Sequence, residues 1–118
     1  MEWEIEVTDE FNHWWESHDV STQDSIATAV SVLERVRPSL GRPRVDTIHS
    51  SRHSNMKELR PVHGNIRVLF AFDPRRMAIL RIGGDKSRQW NEWYDEMVPV
   101  ADRLYDDHLA QLRLEGLI

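Results

Sequence analysis

The chain has no cysteine, which excludes disulfide bonds and any thiolate-held zinc site. It has no apolar run near the roughly 20 residues that a membrane-spanning helix requires, so no span is expected. It opens on Met-Glu-Trp-Glu, without the basic n-region and apolar h-region of a secretory leader, and no signal peptide is expected. A cytoplasmic protein is the simplest reading of these absences. Positive charge is in short supply: 15 Lys and Arg stand against 20 Asp and Glu, a net charge of −5. That balance argues against a protein that coats itself in nucleic acid, because phosphate binding is driven by clustered cations.

What is present is an ordinary globular mixture, 40% hydrophobic and 30% charged over 118 residues, which fits one domain spanning 1–118. The charge is unevenly spread. Between Pro38 and Arg88 the eleven basic residues are Arg42, Arg44, Arg52, Lys57, Arg60, Arg67, Arg75, Arg76, Arg81, Lys86 and Arg88. Only Asp46, Glu58, Asp73 and Asp85 oppose them there. A basic centre between acidic ends can build a local anion site on an acidic protein.

Residues 2–7 alternate between glutamate and Trp3, Ile5 and Val7, the period-2 pattern of a strand with one wet face. Thr8 or Asp9 can cap a helix carrying Phe11, Trp14 and Trp15 on one side, aromatics that read as core. Ser21 or Thr22 starts a second helix with an Ile26, Val30, Leu33 stripe, ended by Pro38, and His18-Asp19-Val20 makes the pair a hairpin. Residues 38–55 read as a loop with a short extended piece at 45–48, and His49, Arg52 and His53 in it read as solvated. A three-strand meander follows: a short strand over 57–60, a long one over 66–72, and a third over 77–82. Gly83-Gly84 reads as a sharp turn, after which a helix runs over about 87–97. Pro99 breaks or restarts it before a last acidic helix. The expected fold is α+β, β-α-α-β-β-β-α: an antiparallel sheet packed against an N-terminal helix pair, with C-terminal helices at its edge.

The chemistry-bearing residues gather in and around the meander. Arg60 and Arg67 lie on neighbouring strands and Lys86 just past the third, so the three can converge on one anion. Glu58, His63, Lys86 and, last, Tyr94 are the groups able to move a proton. Glu58 and Arg60 share a strand face, which reads first of all as a structural ion pair. Lys57 points opposite to Arg60 unless the strand twists or bulges. Arg81 reads as an edge, packing or phosphate residue; Arg88 sits in the first turn of the helix, and Trp90 and Trp93 can stack on a base. Trp93 and Tyr94 at helical spacing also read as core, and Arg75 and Arg76 as solvated turn residues. No metal-ligand pattern stands out, since two histidines without a third ligand are weak.

The run Lys57-Glu58-Leu59-Arg60, then Ile66-Arg67-Val68-Leu69-Phe70-Ala71-Phe72, then the strand 78–82 and Lys86 beyond it, resembles the RelE/ParE superfamily, in its HigB-like, phage-derived branch. The resemblance covers about residues 2–100. It implies a compact RelE-like domain and the toxin half of a type II toxin–antitoxin pair. The implied activity is cleavage of mRNA, usually on the translating ribosome, by a metal-independent endoribonuclease that uses no cofactor. An antitoxin, often a helix-turn-helix protein, is the implied partner. From the residues themselves, the candidate catalytic set is Arg60, Arg67, Lys86 and Glu58, with Arg81, Arg88, Trp90, Lys57 and His63 as candidate RNA contacts. ParE relatives act on DNA gyrase, so a gyrase inhibitor or a non-catalytic binding module of the same fold stands as the alternative.

Overall fold

In the computed structural model, residues 4–36, 44–53, 55–62, 66–75, 77–85 and 90–118 are described. Their elements are β1 (Glu4–Val7), α1 (Asp9–Glu16), α2 (Val20–Val36), β2 (Val45–Thr47), β3 (Met56–Leu59), β4 (Ile66–Phe72), β5 (Met77–Asp85) and α3 (Trp90–Leu114). Thr8 caps α1, its hydroxyl accepting from the Phe11 N–H at 3.0 Å, and Asp9 and Glu10 sit at the helix's positive end. Asp19 caps α2, Oδ1 accepting from the Thr22 N–H at 2.9 Å, so the helix begins at Val20, slightly before the expected start.

The strands form one sheet in the order β1-β5-β4-β3-β2. The expected meander is there, lengthened by β2, which pairs antiparallel with β3. The sheet is not wholly antiparallel, however: β1 lies parallel to β5. The helix pair carries the chain to the far edge, and three reversals through the meander return β5 alongside β1 in the same direction. Two further expectations are corrected. Gly83 and Gly84 do not turn; β5 continues through them, because Val68 and Arg67 on β4 supply backbone partners as far as Ile66 opposite Asp85. Pro99 does not end the helix either. It forfeits one hydrogen bond, but α3 runs on as one helix through it, anchored on both sides by the buried Val98, Ala101, Leu104, Tyr105 and Leu112.

Side chains of β2–β4 alternate between two cores. Val45, Leu59, Ile66, Val68 and Phe70 pack beneath α1 and α2 with Phe11, Ile26 and Leu33. Ile48, Met56, Leu69 and Ala71 pack beneath α3 with Val98, Ala101 and Tyr105. Trp93 and Tyr94 are partly buried against this second core, with ring centroids 5.0 Å apart, edge to face.

α3 is also held by polar contacts. The Ser51 hydroxyl donates to Asp102, and the Arg52 guanidinium to Asp106. His53 Nε2 lies 2.7 Å from Asp106, its ring edge-on to Tyr105 at 4.7 Å. His53 is therefore not the solvated loop residue that its polar surroundings suggest. At the other end Asp73, its side chain fully buried, accepts from the Arg75 N–H at 2.8 Å and from the Arg75 guanidinium at 2.9 Å, with His108 Nε2 at 3.0 Å. Arg75 also reaches Glu6 at 3.4 Å, so it too is tied down rather than solvated. Among the described residues, no helix is long and apolar enough to cross a membrane.

Candidate active site

The sheet face beneath α3 changes character at one end. Because residues two apart share a face, Met56 is followed on it by Glu58 and Arg60, and Ala71 and Leu69 are followed by Arg67. Asp46 joins from β2, directly opposite Glu58. Leu59 pairs with Val68, so Arg60 and Arg67, the next residue on each strand, stand at one level of the sheet. Tyr94, from the start of α3, descends onto this group.

Glu58 is the centre of the cluster. It is only 2% exposed, and a lone carboxylate in that position would be costly. Three hydrogen bonds offset the cost. Oε1 accepts from Arg60 Nε at 2.8 Å and Nη2 at 2.6 Å, and Oε2 accepts from the Tyr94 hydroxyl at 2.5 Å. Arg60 also donates to Asp46 at 3.1 Å, while Asp46 Oδ1 accepts from the Thr47 N–H at 2.9 Å. Arg60 is thus engaged by two carboxylates, and the ion-pair reading of Glu58 and Arg60 is what the geometry shows.

Arg67 is differently placed. One terminal nitrogen donates to the Ile66 carbonyl at 2.8 Å, while its buried Nε has no partner. No carboxylate pairs with it among the described residues. An arginine with unspent donors beside a neutralised Glu–Arg pair is suited to take an anion.

Burial pushes the Tyr94 phenol far above its usual range, reinforced by its hydrogen bond to Glu58 and that group's negative charge. The Arg67 and Arg60 charges oppose the shift only in part. At neutral pH Tyr94 is therefore a proton donor and not a base.

The remaining expected residues are distributed as follows. Lys57 lies on the opposite sheet face, its ammonium 3.4 Å from the Thr47 hydroxyl. Lys86, Arg88 and His63 lie outside the described residues. Arg81 and Trp90 are described by their backbone alone. Arg81 falls where the β4–β5 register shifts, Leu69 pairing with Ile82 and Phe70 with Leu80, and Trp90 opens α3. No group of three metal-ligating side chains occurs among the described residues. Asp46 was not legible as a site residue: it stands in a short extended piece whose strand partner the local pattern does not name. Tyr94 carried a usable signal, since a half-buried tyrosine needs a partner for its hydroxyl.

A model of the phage-derived Gp49-like protein family matches residues 13–106. HigB3 of Mycobacterium tuberculosis is 46% identical over 97 residues, covering 82% of this chain and 85% of that protein. HigB2 of the same organism is 44% identical over 112 residues, covering 92% of this chain; the chain spans only 55% of HigB2. Among solved structures, the isolated E. coli RelE toxin superposes with a TM-score of 0.59 at 6% identity, covering 80% of this chain and 98% of that one. RelE in the archaeal RelE–RelB complex of Pyrococcus horikoshii gives 0.57 at 12% identity, covering 75% and 99%. At such identities the likeness is one of fold, and the fold is RelE-like.

Proposed function

We propose that this chain, which belongs to the Gp49-like family of phage-derived proteins and to its HigB-like branch, is the toxin of a type II toxin–antitoxin pair and acts as an mRNA endonuclease. The relatives carry toxin names, and RelE-fold neighbours have been solved with antitoxins bound. A cognate antitoxin, of helix-turn-helix type, and cytoplasmic mRNA on the ribosome are the partners of this reading.

One observation carries it: a cation with unspent donors, Arg67, stands with a neutral phenol, Tyr94, at the same end of the sheet. Cleavage of RNA by its own 2′-hydroxyl needs charge on the pentavalent phosphorane and a proton for the departing 5′-oxygen. Arg67 supplies the first, joined by Lys86. Tyr94 supplies the second. The 2′-oxygen bonds to phosphorus, the bond from phosphorus to the 5′-oxygen breaks, and the phenol, turning its O–H from Glu58 to that oxygen, gives it the proton. Glu58 and Arg60 hold the phenol in place; both Glu58 oxygens are engaged, so this carboxylate positions rather than abstracts. The proton of the 2′-hydroxyl falls to His63, or to Lys86 in its neutral form, in which case Arg67 alone supplies the positive charge. No step requires a metal ion.

Inducing the chain without its antitoxin and mapping cellular 5′ ends tests the reading. Translation arrest with new, codon-linked mRNA ends is expected. Intact mRNA with DNA damage and filamentation would overturn it in favour of gyrase, and no growth effect would favour a non-catalytic module.

A further inference from the structure

A concavity is lined by Tyr94 together with Ser50, Arg52, Asp95, Val98, Pro99 and Asp102. It has a volume of about 300 Å³, at the small end of the range for small-molecule sites. Tyr94 borders both it and the Glu58–Arg67 cluster, so on the nuclease reading its occupant would lie next to the phosphate that Arg67 binds. Its walls differ from those of the cluster. Val98 and Pro99 give an apolar side on which a flat ring can rest. Asp102 also lines it, buried and already accepting from the Ser51 hydroxyl and the Arg52 N–H. Asp95 is exposed, adjacent to Tyr94, and has neither a hydrogen bond nor an ion pair among the described residues. Arg52 stands at the rim, held by Asp106 through one terminal nitrogen, which leaves its other donors available.

Two carboxylates make this pocket hostile to phosphate, in contrast to the arginine beside it. It suits a neutral ring that offers N–H groups. Among the four bases only guanine offers two donors side by side, N1–H and the 2-amino group, which one carboxylate can accept together. On the same edge its O6 is an acceptor that an arginine can meet. We propose that this pocket holds a guanine of the RNA next to the cleaved bond, Asp95 accepting from N1–H and the amino group and Arg52 donating to O6. The assignment rests on the nuclease reading above and adds a base preference to it.

The test uses the full chain and the four 3′-mononucleotides, with binding followed by amide chemical shifts. 3′-GMP is expected to bind about tenfold tighter than 3′-AMP, 3′-CMP or 3′-UMP, as loss of a charge-assisted pair implies, with shifts at Ser50, Arg52, Tyr94 and Asp95. Asp95→Asn and Arg52→Ala are expected to level the four affinities. Asp95 is exposed, so its replacement leaves the core untouched. Equal binding by the wild type, preference for another base, or a preference surviving in D95N would each overturn the assignment. The two readings fail separately. RNA cleavage without guanine preference removes the pocket and keeps the nuclease. Selective 3′-GMP binding without cleavage removes the nuclease and keeps a guanine site.

Discussion

At the scale of single residues, the cluster divides its charges by role. Arg60 is engaged by Glu58 and Asp46, whereas Arg67 retains donors. Arg67→Ala is therefore expected to lower cleavage by about 10²–10³-fold, the usual effect of removing one donor aimed at developing charge, with an unchanged circular dichroism spectrum. Arg60→Ala is expected to act first on stability. It leaves the Glu58 carboxylate buried with Tyr94 as its remaining side-chain donor, which costs about 3 kcal/mol, readable in urea unfolding. Tyr94 adds a pH dependence. Its phenol is raised in the folded chain, so the unfolded chain loses this proton first as pH rises. The stabilisation is complete below the usual phenol value of about 10 and is lost as pH climbs towards the folded-state value. Stability of the wild type should fall on this alkaline limb more steeply than that of Tyr94→Phe. Glu58, Arg60 and Arg67 were legible as one facial group because strand alternation is strict. The Glu58–Arg60 ion pair was legible with them; the share of Asp46 in Arg60 was not, because Asp46 reaches it only once β2 pairs with β3.

At the scale of elements, α3 is the piece that sequence reading divided and the fold keeps whole. Proline is read as a stop because it lacks an N–H and crowds the preceding turn. Pro99 is exposed, and the buried face on either side holds the helix through it. Pro99→Ala should restore the missing bond and raise stability by about 1–3 kcal/mol, measured as a higher midpoint in denaturant. The same continuity matters to the site, since α3 carries Tyr94 near its start and is fixed farther along by Asp102, Asp106 and His108. The Gly83-Gly84 turn was misread for a related reason. Glycine permits a turn but does not impose one, and β4 offered backbone partners to the strand's end. The parallel pairing of β1 was beyond local pattern, being set by three reversals elsewhere in the chain.

At the scale of the whole molecule, an acidic chain of net charge −5 carries a basic centre, and one end of its sheet gathers an unspent arginine with a proton-holding tyrosine. Order of elements and the meander were readable from periodicity; the resemblance to a family added the chemistry expected of it. The central claim is that this end of the sheet cleaves RNA through its own 2′-hydroxyl. The most direct measurement is the end-group chemistry of RNA cut by the purified chain, with chelator present, beside Tyr94→Phe. Expected are 2′,3′-cyclic phosphate and 5′-hydroxyl ends, no cut at a site bearing a single 2′-deoxy substitution, and a rate about 10²-fold lower in the variant. Ends bearing 3′-hydroxyl and 5′-phosphate, or RNA left intact by the wild type, would contradict it.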